Sequence, residues 1–313
     1  MKIAYLILTH DSPRHLQRLV EAIASPSSVC FIHIDQKSDL CLFSHLESQN
    51  VVLIDSRMAV YWGDFSMVEA TLMLIRQALA DPRGFDRFVL LSGKDYPLHS
   101  VSYIESFFQQ QPAIEFINLV QMPAEAERKH MWRLTHRMIR PQDPWGVQLI
   151  KTLTNKLRIG AVLRHLSYEK NLGHLTPYAG DQWWALSRDA CQYIRNFVEK
   201  EPMIVDFFKD TFCPDEMFFQ IILGNSSFFK PRIHRNITYV NWGDDIHSPH
   251  PAWISEEYLD AIFGADLSFK PGDWYGAGEM LFARKFSEEG EHLVLSVTQR
   301  IAERENNPAP IQI

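Results

Sequence analysis

The sequence predicts an α/β protein built on a doubly wound sheet with helices on its faces. Short apolar runs, typical of buried strands, alternate with amphipathic patterns over the first hundred residues. Polar residues follow three of these runs, at 9–11, 35–37 and 92–95. Ligands bind such sheets at the carboxyl ends of the strands, although each of these segments taken alone is an ordinary solvated turn. A candidate site is therefore expected at this edge.

The first elements follow one another closely. The apolar run at 3–9 is typical of a buried strand, and Ser12-Pro13 supplies an N-cap and a helix-starting proline for a helix over 14–24. The following pattern predicts strands at 29–35, 51–55 and 85–92, with an amphipathic helix at 65–80 between the second and third of these.

The later elements are less regular. The patterns predict strands at 183–187 and 236–242 and helices at 189–200, 214–223 and 255–263. No segment has the composition of a linker, so we expect a single domain over 1–313.

Composition narrows the class of protein. The 313 residues are 46% hydrophobic and 22% charged with net charge −7, which is ordinary for an enzyme and argues against a nucleic-acid partner. The apolar run at 3–8 is too short for a signal peptide or a membrane span, so a cytoplasmic location is expected. Four cysteines without a Cys-x-x-Cys pair predict reduced packing residues.

The segment 128–170 differs from the rest of the chain because it carries ten Lys or Arg against two acids, with Trp132 and Trp145 interleaved. It is expected to be an insertion over the site, helical in its second half. A solvated basic face and a surface for an acceptor or an anionic membrane are equally consistent with this charge.

Two features carry the chemistry. Glu216, in Cys-Pro-Asp-Glu at 213–216, starts an apolar helix, where a carboxylate is either a catalytic base or a favourable partner of the helix dipole. Arg284 and Lys285 lie among apolar residues. The planar guanidinium of Arg284 can bind two phosphate oxygens of a diphosphate at once, and the ammonium group of Lys285 adds a point charge. The Asp-x-Asp triplet that commonly holds Mg²⁺ or Mn²⁺ under a sugar-nucleotide diphosphate does not occur in the sequence.

Five motifs occur in an order and spacing that resemble one family. They are 57–63 (Arg-Met-Ala-Val-Tyr-Trp-Gly), 91–97 (Leu-Ser-Gly-Lys-Asp-Tyr-Pro), 179–186 (Ala-Gly-Asp-Gln-Trp-Trp-Ala-Leu), 214–216 (Pro-Asp-Glu) and 282–286 (Phe-Ala-Arg-Lys-Phe). Over about 1–290 the chain resembles the core-2/I-branching β-1,6-N-acetylglucosaminyltransferases and the protein O-xylosyltransferases, as a bacterial member. The resemblance implies a GT-A type fold, a Rossmann-like mixed sheet flanked by helices, with inversion at the anomeric carbon, a UDP-sugar donor and no metal or other cofactor.

The resemblance also implies a role for each part of the chain. Residues 1–120 would form the nucleotide-binding half, 121–177 the basic insertion near the acceptor site, and 178–305 the acceptor and catalytic half. Glu216 would be the catalytic base, and Arg284 and Lys285 would bind the diphosphate.

The same resemblance, together with the polar strand ends, predicts the remaining site residues. The nucleotide and donor would contact His10, Asp35, Arg57, Trp62 and Asp95. Asp35 would accept the uracil N3–H, and Trp62 is either a wall of the site or part of the core. The acceptor or donor sugar would contact Asp181, Gln182, Trp183, Trp184 and Trp242. Because Trp183 and Trp184 alternate on a strand, one of them is expected to face the core.

These expectations combine into one function with alternatives. The chain is expected to be an inverting, metal-independent glycosyltransferase that moves a sugar from a UDP-sugar to a glycan or glycolipid, with possible peripheral contact with an anionic membrane. N-acetylglucosamine is the first choice of sugar and xylose the second, and Asp181, where relatives often have a small residue, leaves this choice open. The other classes are a non-catalytic nucleotide-sugar or glycan-binding protein and, last, a glycosidase, which would require a second opposed carboxylate.

Overall fold

A seven-stranded mixed sheet forms the centre of the protein. The computed structural model describes residues 1–138, 167–243 and 250–306. Its strands are β1 Ile3–Thr9, β2 Ser28–Ile34, β3 Val51–Leu53, β4 Arg87–Ser92, β5 Asp95–Pro97, β6 Glu115–Ile117, β7 Val120–Gln121, β8 Tyr178–Ala179, β9 Trp184–Ser187, β10 Ile233–His234, β11 Thr238–Val240, β12 Ser268–Phe269, β13 Gly278–Glu279 and β14 Phe282–Arg284. The order in the main sheet is β10-β6-β9-β4-β1-β2-β3.

The pairing of the strands confirms the predicted α/β class. β1 pairs in parallel with β2 and β4, and β3 continues the parallel half beyond β2. β9 runs antiparallel to both β4 and β6, which makes the sheet mixed. The chain moves outward from β1 through β2 and β3, then returns to the other side of β1 as β4. This reversal opens a crevice at the carboxyl ends of β1 and β4, where ligands bind in such sheets.

Helices cover both faces of the sheet. They are α1 Pro13–Ala22, α2 Ser66–Ala80, α3 Val101–Gln110, α4 Trp132–Thr135, α5 Tyr168–Leu172, α6 Arg188–Lys200, α7 Pro202–Phe208, α8 Phe218–Gly224, α9 Glu256–Gly264 and α10 Glu291–Asn306. One core contains α2, α6 and α8, and the other contains α1 and α3. All seven residues of β1 are buried between these cores, which is why its sequence is almost continuously apolar. Within the described residues, every helix is too short or too polar to cross a bilayer.

A small sheet holds the basic motif at the crevice. β14 lies between β11 and β5, and its register places Arg284 opposite Asp95 on β5 and Val240 on β11. A third core, with residues from α9 and α10, packs against this sheet. Arg284 is therefore fixed by strand pairing on both sides.

Several predicted boundaries differ from the structure for identifiable reasons. The helix predicted at 214–223 is divided into a 3₁₀ turn, Pro214–Glu216, and α8, because Met217 between them has φ −135°. Ser12 occupies the N-cap position of α1, but its backbone is left-handed and its hydroxyl donates to Oδ1 of Asp11 instead of capping the helix.

Four further expectations have different outcomes. The strand predicted at 236–242 covers only Thr238–Val240. All four cysteines are free, as expected, but Cys41 is exposed and not a packing residue. The second half of the insertion, which was predicted to be helical, lies mostly outside the described residues. Among the described residues, α5 is the helix that falls in this second half. The division of the chain into functional halves stays a prediction.

Candidate active site

A cavity of about 670 Å³ opens at the carboxyl ends of β1, β2 and β4. It brings together most of the residues that the sequence singled out. Those in its wall are His10, Asp35, Trp62, Asp181, Gln182, Trp183, Glu216, Trp242, Arg284 and Lys285. Arg57, Asp95 and Trp184 do not line it. The polar strand ends thus form one site, as expected from the topology.

Glu216 is held in the cavity wall by its backbone and by two cations. Its carbonyl accepts a hydrogen bond from the backbone N–H of Gly180 at 2.9 Å. Its Oε2 accepts hydrogen bonds from Nζ of Lys129 at 2.6 Å and from Nη1 of Arg133 at 2.5 Å. A Cβ at Gly180 would lie 1.8 Å from the carbonyl oxygen of Asn118, so only glycine allows this approach.

The two cations decide the ionisation of Glu216. Burial by itself would raise the pKa of this carboxyl, but the charges and hydrogen bonds of Lys129 and Arg133 outweigh burial and lower it. Glu216 is therefore ionised at neutral pH and able to accept a proton. The neighbouring Asp215 has a raised pKa, first because it is buried and second because of the negative charge of Glu216.

The partners of Glu216 correct one expectation from the sequence. Lys129 and Arg133 belong to the basic segment that was expected to be a solvated face or an acceptor surface. Their side chains are buried, 7% and 11% exposed, and neutralise Glu216. Arg137 pairs with Asp210 at 3.0 Å, and Arg140 lies outside the described residues. Within 128–138, Lys129 and Arg133 thus serve a buried carboxylate, whereas Arg137 pairs at the surface.

Arg284 presents a guanidinium with unused donors. Its plane lies over the ring of Trp183 at 4.1 Å, and its Nε is 3.7 Å from Oδ1 of Asp95, which is too long for a hydrogen bond. Nε and Nη1 are buried without a hydrogen-bond partner within the described residues. Burial lowers the pKa of Arg284, and Asp95 opposes this effect. A buried cation with unpaired donors is suited to an anionic ligand.

Two lysines extend this positive region. Nζ of Lys285 lies 4.4 Å from the centre of the Trp253 ring, and Nζ of Lys94 lies 5.4 Å from the same ring. Lys94 also binds Oδ2 of Asp11 at 2.8 Å, and it lines the cavity. The sequence analysis did not select Lys94 or Trp253. Lys94 belongs to the motif 91–97, which was a usable signal, whereas nothing local marks Trp253.

Asp35 ends β2 inside the cavity, and Arg57 supports it from behind. Oδ1 of Asp35 accepts the backbone N–H of Lys37 at 2.8 Å, and Oδ2 lies 3.0 Å from Nζ of Lys37. The guanidinium of Arg57 donates to the carbonyls of Ile34, Asp35 and Ser38 at 3.0, 2.8 and 2.6 Å. Arg57 was expected to contact the nucleotide or donor, but its Nε and Nη2 donate to this loop and it does not line the cavity.

The sugar-side residues divide into lining and core residues. Trp183 lines the cavity while Trp184 is 1% exposed and packs with Phe219, so Trp184 is not a ligand contact. Oδ2 of Asp181 accepts from Asn118 at 2.7 Å and from Asn236 at 3.3 Å. Nε2 of Gln182 is buried without a partner within the described residues and is available to a ligand. Trp62 lines the cavity and is 52% exposed, so it belongs to a wall and not to the core.

Asp95 was expected to contact the nucleotide, but it is fully buried behind Arg284. Its Oδ2 accepts the backbone N–H of Ser92 at 2.9 Å, and burial raises its pKa to about 6 despite the charge of Arg284. Asp95 therefore acts on the cavity from behind, through Arg284 and through the backbone of the lining residue Ser92. Across residues 1–138, 167–243 and 250–306, His, Cys, Asp and Glu side chains do not gather in threes or more as metal ligands would.

The α/β sheet thus carries, at the carboxyl ends of its strands, one cavity that combines a buried carboxylate with a buried guanidinium. The chain belongs to the Core-2/I-Branching enzyme family, whose model matches residues 3–263. Its mixed sheet with helices on both faces is the α/β architecture that the sequence predicted.

Curated relatives agree with this assignment. The xylosyltransferase oxt of Drosophila melanogaster is 25% identical over 302 residues, 91% of this chain and 32% of that protein. Human xylosyltransferase 2 is 24% identical over 324 residues, 95% of this chain and 33% of that protein. The chain thus spans about a third of the length of these relatives. Among solved structures, core-mannan synthase A of Aspergillus fumigatus superposes with a TM-score of 0.37 at 10% identity, covering 80% of this chain and 78% of that one.

The pairing of Asp95 with Arg284 leads to a stability prediction. Asp95→Asn leaves the buried guanidinium without its counter-charge, so we expect a loss of unfolding free energy of about 3 kcal/mol, as for other broken buried pairs. Saturating UDP should restore part of this loss, because the diphosphate supplies the missing negative charge.

Thermal unfolding with and without UDP measures both effects. Asp260→Asn is the matched control. Asp260 lies on α9 and is an exposed partner of Arg300, so its substitution should change the unfolding free energy little. An equal effect of UDP on Asp95→Asn and on wild type would show that Asp95 does not act through the diphosphate site.

Proposed function

We propose that this protein is a glycosyltransferase that moves a sugar from a UDP-sugar to a hydroxyl of a glycan or glycolipid, with inversion and without a metal. The observation that carries the proposal is the presence, in one cavity, of an ionised carboxylate, Glu216, and of a cationic pair, Arg284 and Lys285. A nucleotide-sugar-binding protein without catalysis would have no use for the base.

The proposed chemistry transfers one proton and one sugar. Both cations on Glu216 bind Oε2, and we assign Oε1 to the acceptor hydroxyl. As the hydroxyl loses its proton to Glu216, its oxygen attacks the anomeric carbon from the side opposite the diphosphate. The new glycosidic bond forms while the bond from the anomeric carbon to the phosphate oxygen breaks. This displacement inverts the anomeric centre.

The leaving diphosphate receives the bonding electrons and becomes more negative. Nε and Nη1 of Arg284 are fixed by β14 and by the ring of Trp183, and they are available to its oxygens. Lys285 adds a second charge, and Lys94 a third at the same ring of Trp253. Donors that are already oriented stabilise developing charge without reorganisation. We infer that they replace the metal that other nucleotide-sugar enzymes use.

The nucleotide is assigned to the other strand ends. Asp35 lies at the end of β2 and, in this proposal, accepts the uracil N3–H, with His10 at the end of β1 beside it. Arg57 contributes by donating hydrogen bonds to the carbonyls of Ile34 and Asp35, which hold the end of β2 in place. This places the base at β2, the diphosphate at β14 and the acceptor hydroxyl at Glu216.

Two donors are candidates for the transferred sugar. N-acetylglucosamine follows from the sequence resemblance, and xylose is favoured by the names of the relatives that match 91–95% of the chain. Hydrolysis and transfer assays with UDP-N-acetylglucosamine and UDP-xylose decide between them. The acceptors of the relatives are not carried over, because the chain spans only a third of those proteins.

The role of Glu216 gives the first functional prediction. Glu216→Gln keeps the shape of the side chain but cannot accept the proton, so turnover should fall by about 10²- to 10⁴-fold while UDP affinity stays unchanged. Calorimetric UDP titration and initial rates measure the two quantities. Glu199→Gln, on the exposed face of α6, is the control. Near-normal turnover of Glu216→Gln would remove Glu216 from the mechanism.

Lys129 provides a pH-dependent prediction. Activity requires ionised Glu216, so it is lost as the pH falls through the pKa of this carboxyl. Lys129→Met removes a charge that lowers this pKa, and the acidic limb of the kcat/KM profile should therefore move to higher pH. Lys129→Arg keeps the charge and should keep the limb nearer its wild-type position. The same limb in Lys129→Met and wild type would contradict the assignment of Glu216 as the titrating base.

The cationic pair gives a ligand-specific prediction. Lys285→Ala and Arg284→Ala should weaken UDP binding by about 10- to 100-fold and leave uridine binding unchanged, because only UDP carries the diphosphate. Arg14→Ala, an exposed arginine on α1, is the control. EDTA should not change wild-type turnover. Equal losses for UDP and uridine would mean that the pair is structural, and inhibition by EDTA that is reversed by Mn²⁺ would contradict the metal-independent chemistry.

A further inference from the structure

Three aromatic side chains form a continuous ridge that begins in the cavity and continues beyond it. The ring centre of Trp62 lies 5.5 Å from that of Phe212, and Phe212 lies 5.0 Å from Trp132. Trp62 lines the cavity, whereas Phe212 and Trp132 are outside its wall. We call Trp62, Phe212 and Trp132 the aromatic ridge.

The two outer rings are unusually open to solvent for their size. Trp62 is 52% exposed and Trp132 is 43% exposed. Single exposed apolar residues are common on protein surfaces, but contiguous ones mark binding surfaces. The ridge is contiguous, and it is joined to a catalytic cavity at one end.

Backbone hydrogen bonds fix the ridge to the proposed base. The N–H of Cys213 donates to the carbonyl of Gly63 at 2.9 Å, which joins the Trp62 loop to the Phe212 turn. The N–H of Phe212 donates to the carbonyl of Arg133 at 3.4 Å, and the side chain of Arg133 ends on Glu216. The ridge therefore keeps a constant position relative to the carboxylate that receives the acceptor hydroxyl.

Gly63 shows how closely the ridge is built. Its φ is +70°, and a Cβ there would lie 3.2 Å from Cε2 of Phe212. A larger residue would be strained and would displace the middle ring. The Phe212 ring thus fills the space over Gly63 and leaves the outer two rings as open faces.

The surroundings of the ridge select its ligand chemistry. A pyranose has one face of C–H groups, which packs on an aromatic ring, and a rim of hydroxyls, which bind polar groups. The ridge supplies the rings, and the cavity next to Trp62 supplies polar groups from Asp181, Gln182 and Glu216. A purely apolar ligand would leave Nε2 of Gln182 without a partner.

We propose that the aromatic ridge is an extended acceptor subsite, which binds the sugar residues that precede the one whose hydroxyl reaches Glu216. The acceptor is then a linear oligosaccharide chain of several residues and not a single sugar. This inference rests on the proposed function, because it takes the acceptor to be a carbohydrate.

Binding of oligosaccharides without a donor tests the subsite directly. The probes are linear β-linked oligomers of N-acetylglucosamine, galactose and glucose with one to five residues, titrated by calorimetry. For at least one series, wild-type affinity should increase with length. Trp132→Ala should reduce the gain in affinity between short and long oligomers by a factor of about 3 to 10, because it removes one aromatic contact. Trp132→Phe keeps a ring and should retain part of the gain.

Phe228→Ala is the matched control, because Phe228 is also an exposed aromatic residue, 50% exposed, but stacks on Arg232 away from the cavity. It should behave as wild type. Circular dichroism melting of each variant shows that it is folded, and if Trp132→Ala is unstable, Trp132→Leu takes its place.

Two results would overturn the proposal. One is a wild-type affinity that does not increase with oligomer length in any series, and the other is the same gain from length in Trp132→Ala and wild type. UDP titration of the wild-type protein separates this failure from failure of the proposed function. UDP binding without length-dependent oligosaccharide binding rejects the ridge alone, and length-dependent binding without UDP binding supports the ridge and rejects the UDP-sugar donor.

Discussion

The buried ion pair between Glu216 and the cations Lys129 and Arg133 is the constraint on which the site depends. A carboxylate removed from water needs partners that supply charge and hydrogen bonds, and both cations do so at Oε2. This requirement draws the segment before α4 against the 3₁₀ turn Pro214–Glu216. The backbone of the same glutamate is held separately, because its carbonyl accepts the N–H of Gly180 at 2.9 Å. One residue thereby joins three stretches of chain that are distant in sequence.

The two charged centres of the cavity are balanced in opposite ways. At Glu216, two cations lie at hydrogen-bond distance of one carboxylate, so the acid is held in its ionised form. At Arg284, the only described carboxylate partner, Asp95, lies 3.7 Å from Nε, and the donors stay unpaired. One centre is therefore suited to accept a proton and the other to bind an anion. In the proposed mechanism, this difference is the reason for assigning the acceptor to one side of the cavity and the diphosphate to the other.

The tryptophans show how one residue type serves different purposes in this fold. Trp184 is core, Trp183 supports the plane of Arg284, and Trp253 lies near the ammonium groups of Lys94 and Lys285. A cation over an aromatic face keeps its charge available to a ligand, which a carboxylate partner would not allow. Lys285 can therefore be held in place by a ring, whereas Lys94 also pairs with Asp11 at 2.8 Å. Trp62, by contrast, is 52% exposed, and we propose a contact with the acceptor for it instead of the contact with the nucleotide and donor that the sequence predicted.

The sequence by itself determined the sheet and the identity of most site residues. The run at Ile3–Thr9 had to be a strand because it is buried on both faces, and the motifs at 214–216 and 282–286 contain the base and the cationic pair within a few residues. Only the tertiary structure decided which groups meet. Lys129 lies 87 residues before Glu216, and no local pattern encodes that contact or the ridge of Trp62, Phe212 and Trp132. Periodicity fixes the face on which a side chain lies, whereas the path of the chain fixes its distant neighbours. For this reason the sequence analysis assigned Arg57, Asp95 and Trp184 to the ligand, although they lie behind the cavity wall.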